Sequence, residues 1–402
     1  MIDLKKLRPL LQESGFDGWL LYDFRGSNPT ARRALDLEKT HITRRFFCLL
    51  PREGEPRWLV SKMEEQRFEG RPGSRSTFRT FEELKSGLGG LLAGARRVAM
   101  EYSPGGGLPH VSSVDGGTLD LVKATGVEVA SSADLTSHLF HRLTKAQLLT
   151  HRRAAKNLID VVKVTLRHAA AEIRAKGQTD EFTLQQFILK EFEERGLVPE
   201  HPPIVGTREH SSDPHFEPTA TNQFPVREGD ILLLDIFARE KRGRSVQADI
   251  TWMACAAERV PDRFAEVFAV DRDARDAALR LVTERAGTKQ KVQGLELDRA
   301  ARSVIERAGY GDSFIHRTGH NLAREVHGPG PNIDGFETLD TRTLMPGMIF
   351  TIEPGIYLPE FGVRTEINVL MNEDGAEVTT LPLQKEIVPF LRADFERDFF
   401  GE

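Results

Sequence analysis

The run ILLLDIFAREKRGRSVQADITW, residues 231–252, holds two apolar stretches separated by a basic turn, and each stretch carries an aspartate. Four aliphatic residues precede Asp235, while Asp249 and Thr251 alternate with Ile250 and Trp252. Alternation of period two puts Asp249 and Thr251 on one face of a strand. The whole reads as two strands joined by a hairpin-like loop. Taken singly, a strand aspartate is more often a cap, a turn former or half of a salt bridge than a ligand. A buried carboxylate with no partner is costly, however, and must neutralise or find one.

The same oddity recurs downstream. MIFTIEPGIYL (348–358) sets Glu353 in an apolar run, with Tyr357 four residues on. VRTEINVLM (363–371) puts Val363, Thr365, Ile367 and Val369 on one face and Arg364, Glu366 and Asn368 on the other, so an Arg364–Glu366 ion pair is the plain reading. FIHRTGHNLAREVHG (314–328) supplies His316, His320 and His327. A lone histidine there is more often a hydrogen-bonded core residue than a ligand. The total shifts the balance: four carboxylates in four apolar strand-like runs, plus a glycine-flanked histidine. Converging in one interior, those carboxylates would repel unless cations neutralised them. Two divalent ions would do so, and oxygen-rich ligation with one imidazole favours Mn²⁺, Co²⁺ or Zn²⁺ over thiolate-bound structural zinc. Water activated between two such ions makes hydrolysis the natural chemistry.

Around this centre the chain of 402 residues is long for a single core and reads as two domains. Residues 3–14 read as a helix. Short buried strands are expected at 17–23, 44–51, 56–60, 96–102 and 126–131, giving an α/β layer domain over residues 1–145. From Lys145 a long amphipathic helix carries Ala155, Leu158, Ile159, Val162, Leu166, Ala169, Ala170 and Ile173 on one stripe, with Gly177 as its stop. Further helices are expected near 181–195, 263–284 and 296–308, and strands at 231–238, 246–257, 348–358 and 363–371. Residues 146–402 thus read as an α+β domain with helices packed on a curved antiparallel sheet.

A net charge of −5, with 39% apolar and 29% charged residues, gives no electrostatic reason to expect nucleic acid or an anionic membrane as partner. The two cysteines, Cys48 and Cys255, lie in apolar runs without disulfide-framework or metal-type spacing, and read as buried thiols in a reducing compartment. The N-terminal MIDLKKLRPLLQESG is too charged for a signal-peptide core, and no apolar run approaches ~20 residues. The chain reads as cytoplasmic.

Five segments in order carry a family resemblance: SDPHFEPT (212–219), LLLDIFA (232–238), ADITW (248–252), TGHNLAREVHG (318–328) and FTIEPGIYLPEFGVRTEI (350–367). With LTKAQLLTHRRAA (143–155) opening the second domain, the chain resembles the pita-bread metallopeptidases (family M24) over its whole length. The likeness is to the branch of Xaa-Pro dipeptidase (prolidase) and Xaa-Pro aminopeptidase, with a creatinase-like N-terminal domain. The resemblance implies that Asp235 binds one metal, that His320 and Glu353 bind the other, and that Asp249 and Glu366 bridge them. It implies Glu353 as proton acceptor for the attacking water, His215 on the leaving-group side of the scissile bond, and His327 against the peptide carbonyl. His316, Tyr357 and Arg364 would orient the ligands. It further implies two divalent ions per chain, Mn²⁺ foremost, a small peptide substrate with proline at P1′, and a homodimer. The dipeptidase is preferred over an aminopeptidase acting on longer peptides. A metal-free creatinase-like hydrolase and a non-catalytic binding protein are the readings from other classes. Two features depart from the family: the loop between the aspartates (REKRGR, 239–244) is longer than usual, and GHNLA replaces the commoner GHGIG or GHSLG. The basic tip is read as solvated, with capture of a substrate carboxylate by Lys241, Arg242 and Arg244 as the sharper alternative.

Overall fold

The computed structural model describes residues 1–401, which divide into two compact units, Met1–Phe140 and His141–Glu402. In the first unit, helix α1 (Leu4–Glu13) starts at Asp3, whose side chain accepts from the Lys5 amide and so satisfies one of the free amides of the first turn. The strands are β1 (Gly18–Asp23), β2 (Phe46–Pro51), β3 (Arg57–Ser61), β4 (Ser74–Phe78), β5 (Arg97–Met100) and β6 (Glu128–Ser131). They form one sheet in the order β4-β3-β2-β1-β5-β6, antiparallel at β1–β2 and β2–β3 and parallel elsewhere. Helices α2 (Pro29–Ala34), α3 (Phe81–Leu91), α4 (Gly116–Lys123) and α5 (Ala133–Phe140) complete the unit, and its two apolar clusters take alternate residues of β1 and β2. Strand β4 has no counterpart among the expected strands. It is an edge strand with only Phe78 buried, so no apolar run marks it.

The second unit opens with α6 (Lys145–Lys176). A reciprocal capping box between Thr144 and Gln147 starts it, and Gly177 at φ 79° ends it in the left-handed conformation that glycine adopts without strain. After β7 (Gln178–Asp180), α7 (Glu181–Glu194), β8 (Leu197–Val198), β9 (Ile204–Thr207) and β10 (Pro225–Arg227) come the two long strands β11 (Ile231–Glu240) and β12 (Ala248–Cys255). These pair antiparallel, with Asp235 opposite Thr251 and Phe237 opposite Asp249. Then follow α8 (Asp262–Gly287), α9 (Gly294–Arg307), β13 (Asn321–Leu322), β14 (Ile349–Ile352), β15 (Gly355–Leu358), β16 (Phe361–Arg364), β17 (Ile367–Asn372), β18 (Gly375–Val378), β19 (Val388–Pro389) and α10 (Phe395–Phe400). One sheet runs β19-β12-β11-β8 with β9 also on β11, a second runs β13-β14-β17-β18, and β15–β16 is a separate hairpin. Each of the expected runs 348–358 and 363–371 is therefore two strands. The first breaks at Glu353-Pro354, where proline lacks the amide a ladder needs; the second breaks at Thr365-Glu366.

The alternation along β11 and β12 explains how an aspartate comes to lie in an aliphatic run. Leu232, Leu234, Ile236, Ala238, Ala248, Ile250, Trp252 and Ala254 face the apolar stripe of α6. On the opposite face Ile231, Leu233, Met253 and Cys255 join a second core with α8 and α9 residues. Asp235, Phe237, Asp249 and Thr251 continue that same face beyond the second core. Both cysteines are free and buried. Among the described residues no helix is long and apolar enough to cross a membrane.

Candidate metal centre and catalytic cavity

Asp235 and Asp249 meet a second layer of side chains contributed by the strands that follow. Arg364, at the end of β16, places Nη2 2.6 Å from Asp235 Oδ2, Nη1 2.8 Å from the Tyr357 hydroxyl and Nε 3.1 Å from Thr251 Oγ1. His316 Nε2 lies 2.7 Å from the same tyrosine hydroxyl. One chain of contacts thus runs His316–Tyr357–Arg364–Asp235. The Arg364–Glu366 ion pair suggested by the alternation is not what forms. The two residues do share a face, but β16 and β17 belong to different sheets, and the guanidinium reaches across to β11 instead.

Glu366 Oε2 accepts from Thr251 Oγ1 at 2.9 Å. On β12, Asp249 is held through its backbone: Asn368 Nδ2 donates to its carbonyl at 2.6 Å, and its amide donates to Asn368 Oδ1 at 3.0 Å. His320 Nε2 lies 3.1 Å from Glu353 Oε1 and 3.6 Å from Asp249 Oδ2. Thr351, two residues before Glu353, donates to Glu353 Oε1 at 2.9 Å and accepts from the His320 amide at 2.9 Å. A Cβ on Gly319 would stand 2.2 Å from the Thr351 carbonyl, so only glycine lets the His320 backbone lie this close to β14. Donor atoms of Asp249, His320 and Glu366 all fall within 4.8 Å of one another.

The electrostatics of this cluster are incomplete as protein alone. Asp235 Oδ1, Asp249 Oδ1 and Glu366 Oε1 are buried without a hydrogen-bond partner. Burial, and then the mutual repulsion of the carboxylates, push Asp249 and Glu366 well above the ordinary carboxylate range. Burial raises Asp235 too, against the opposing pull of Arg364. Burial also acts to raise Glu353, but His320 by charge and hydrogen bond, with Arg364, holds it net below the usual range. His316 is lowered to about 4, chiefly by burial, and is neutral at physiological pH. Three orphaned acceptors beside an imidazole are a hard-donor set that divalent cations would satisfy, and the residues present fit such ions.

The cluster forms the floor of a cavity of about 380 Å³ whose lining belongs entirely to the second unit. His215, Arg317, His320, His327, Glu353 and Arg364 all open onto it. His327 stacks edge-to-face on His320 at 4.4 Å between ring centres. The dense protein around the concavity, with the His320 and Arg317 charges, lowers His327 to about 3. His215 follows Asp213, which accepts from its backbone amide at 3.0 Å. The segment before it is anchored by His210, sandwiched between Phe216 and Phe224 at 3.9 and 3.8 Å and paired with the buried Glu181 at 2.8 Å. Of the ten residues given ligand, catalytic or orienting roles in the sequence, eight line this cavity, Tyr357 bonds to two of them, and Glu366 offers a donor atom within 4.8 Å of those of Asp249 and His320.

Sequence reasoning passed over His201, Glu217, Arg317 and Glu337, which also line the cavity, the supporting Thr351, and the bonds to Asp249 made by Asn368, which it placed on the Glu366 face without a role. The roles of Thr351 and Asn368 could have been found, since each lies two residues from a candidate ligand and so on its face. The basic loop tip is elsewhere: Arg242, Gly243 and Arg244 line a different cavity with Thr144, Thr150 and Arg153. Arg324, on the segment that carries His320 and His327, donates to the Gly243 carbonyl of this tip at 2.9 Å. The asparagine in GHNLA has a clear place. Asn321 Nδ2 donates to the Ile349 carbonyl at 2.9 Å and its Oδ1 accepts from the Gly330 amide at 2.9 Å. Side chains at Gly328 or Gly330 would come within 2.5 Å of it, so those glycines make its room.

Residues 153–373 match the sequence profile of metallopeptidase family M24. The Xaa-Pro dipeptidase of Lactobacillus helveticus is 33% identical over 178 residues, 44% of each chain. The chain thus spans about half the length of the curated relatives it matches, or a little less. Among solved structures, dipeptidase PepE from Mycobacterium ulcerans aligns over 96% of both chains with a TM-score of 0.63 at 22% identity. A dipeptidase from Pyrococcus horikoshii aligns over 96% of this chain and 99% of its own, with a TM-score of 0.55 at 26% identity. The α/β N-terminal unit followed by an α+β pita-bread unit, expected from the resemblance, is the architecture these structures share.

Proposed function

We propose, from the premise that the chain belongs to metallopeptidase family M24, that it hydrolyses the Xaa-Pro bond of dipeptides at a centre holding two divalent ions. In this reading Asp235, Asp249, His320, Glu353 and Glu366 would hold the ions. The observation that carries the reading is the convergence of three buried, partnerless carboxylate oxygens on Asp235, Asp249 and Glu366, beside His320. Bound divalent ions supply Lewis-acid chemistry, polarising the substrate carbonyl and making a water acidic enough to attack near neutral pH.

The chain's own residues do the rest. Glu353, oriented by the Thr351 hydroxyl, accepts the proton of the attacking water. His327, neutral at working pH, has one N–H to give to the oxygen on which charge develops. His215, which also lines the cavity, passes a proton to the departing proline nitrogen in this reading. That nitrogen is tertiary and has no N–H, so a cleft that reads substrate backbone amides handles it poorly and a dedicated site is required. Mn²⁺ as the native ion, a homodimer and a cytoplasmic location belong to the same proposal. The family resemblance supports the first two, and two free buried thiols are in keeping with the last.

The test is elemental analysis of the purified protein together with hydrolysis of an Xaa-Pro dipeptide and an Xaa-Pro-containing tripeptide, with Mn²⁺ and then with chelator. Two equivalents of metal and chelator-sensitive cleavage are expected. Activity that survives complete chelation would sink the metal mechanism and favour a metal-free hydrolase. No cleavage and no metal would favour a binding protein. Faster cleavage of the tripeptide would favour the aminopeptidase.

A further inference from the structure

Two guanidinium groups line the catalytic cavity, Arg317 and Arg364, and they differ in one respect. Arg364 is engaged by protein through all three nitrogens: Asp235, Tyr357, Thr251 and the Pro214 carbonyl take four of its five N–H donors. Among the described residues, the Arg317 guanidinium has neither a hydrogen-bond nor an ion-pair partner, although its backbone is firmly held. Arg302 on α9 donates to the carbonyls of Phe314 at 3.0 Å and His316 at 2.8 Å, on the segment leading into Arg317. Thr318 on the other side is fixed to Asp298 through its amide at 3.0 Å and its hydroxyl at 2.8 Å. The Arg317 amide itself donates to Glu337 Oε1 at 3.3 Å. The result is a rigidly mounted cation with a free fork of donors, set in the cavity wall close enough to His327 to depress its basicity.

We propose that Arg317 is the receptor for the substrate's free α-carboxylate, and that this contact makes the enzyme selective for dipeptides over longer or C-terminally blocked substrates. The inference rests on the Xaa-Pro peptidase reading above and deepens it. The guanidinium plane presents two parallel N–H groups that match a carboxylate bidentately, a geometry lysine cannot offer. In an Xaa-Pro dipeptide the α-carboxylate is separated from the scissile bond only by the proline nitrogen and Cα. The carboxylate must therefore bind within the same small cavity as the hydrolytic centre. Arg317 is the only arginine lining that cavity whose donors are uncommitted. Because its backbone is anchored on both sides, ordering on binding is confined to the Arg317 side chain itself.

The experiment compares an Xaa-Pro dipeptide with its C-terminal amide, using Mn²⁺-loaded full-length enzyme, in the wild type and in Arg317→Gln, Arg317→Lys and Glu337→Gln. The wild type is expected to prefer the acid. Arg317→Gln is expected to reduce the acid-over-amide ratio of kcat/KM by about ten- to a hundredfold, through KM for the acid, which is the worth of a charge-assisted bond. Arg317→Lys should restore part of that preference, and Glu337→Gln should leave the ratio in place. If Glu337→Gln instead erases the preference as completely as Arg317→Gln, Arg317 acts only as that glutamate's structural partner and the proposal falls. If the wild type cleaves acid and amide equally well, the Arg317 assignment is wrong while the Xaa-Pro peptidase reading stands. If it cleaves neither, both fail. The acid–amide comparison on the wild type needs no variant to fold.

Discussion

Replacing Glu366 by glutamine is expected to stabilise the metal-free protein and destabilise the metal-loaded one. Glu366 and Asp249 offer donor atoms within 4.8 Å of each other, inside an interior that also holds Asp235 and Glu353. At that separation two full negative charges repel by about 3.5 kcal/mol at an effective dielectric of 20. Burial and this repulsion already push both carboxyls towards their neutral forms, so only part of that sum is present in the wild type at neutral pH. A gain of about 1–3 kcal/mol, or roughly 3–10 °C in the melting midpoint for a unit of this size, is the expected effect in chelator. The neutral amide keeps an oxygen for the Thr251 hydroxyl, now at 2.9 Å, and its NH₂ can donate to the neighbouring carboxylates. With Mn²⁺ at a hundred times its dissociation constant the wild type gains about 2.7 kcal/mol per site. The variant, lacking a bridging carboxylate, should gain much less. Melting curves of both proteins in chelator and in Mn²⁺ should therefore cross. If the variant is less stable than the wild type by the same amount in both conditions, Glu366 is an ordinary packed residue and the electrostatic account is wrong.

Other residues give independent checks. Changing His327 to alanine should lower kcat by about a hundredfold or more while leaving metal content at two equivalents, as steady-state kinetics beside elemental analysis would reveal; loss of metal in parallel would make it a ligand instead. His151, fully buried between the Gln247 carbonyl and Thr379 Oγ1 at 2.7 Å each, has its pKa lowered from 6.5 to about 4, chiefly by burial. Its folded value lies below its unfolded one, so the unfolded chain takes up the proton first as pH falls. Stability is intact above about 6.5 and declines towards 4 by about 3 kcal/mol. Denaturant melts at pH 7.5 and 5 should show a shallower decline in His151→Gln, and an unchanged decline would remove His151 from the account. Asn321→Gly, which restores the commoner family pattern, should cost about 2 kcal/mol through loss of the bonds to Ile349 and Gly330. A variant as stable as the wild type would show that the glycine loop closes equally well without them.

Some elements could be read from the chain because local pattern and tertiary demand agree. The stripe from Ala155 to Ile173 and the stop at Gly177 delimit α6, whose stripe does face β11 and β12. Strand β4 could not be read: SRSTF has one buried residue and owes its extended form to pairing with β3. The runs around Glu353 and Glu366 could be read as extended but not as broken, because the break is a change of sheet. β14 and β17 pair with each other, and β15 pairs with β16, so the chain leaves one ladder at Glu353-Pro354 and returns at Thr365-Glu366. Proline at 354 was the one local sign of it.

The same change of sheet accounts for the misjudged partner of Arg364. Alternation correctly puts Arg364, Glu366 and Asn368 on one face, and all three turn towards β11 and β12: Arg364 to Asp235, Glu366 to Thr251, Asn368 to Asp249. A pairing across 129 residues cannot be inferred from spacing, whereas a pairing across two residues looks inviting. An Arg364–Glu366 pair would have neutralised the very carboxylate that the proposed centre needs. By spending Arg364 on Asp235 and Tyr357, the fold leaves Asp249 Oδ1 and Glu366 Oε1 partnerless, on carboxylates that offer donor atoms within 4.8 Å of each other. That arrangement is unfavourable for the ionised carboxylates alone and would be relieved by the proposed cations. The strain is tolerated because the same faces of β11 and β12 carry Ile231, Leu233, Met253 and Cys255 into the second core. Each of these buried side chains contributes on the order of 1.5–3 kcal/mol, enough collectively to hold the strands in register against the repulsion at their other end.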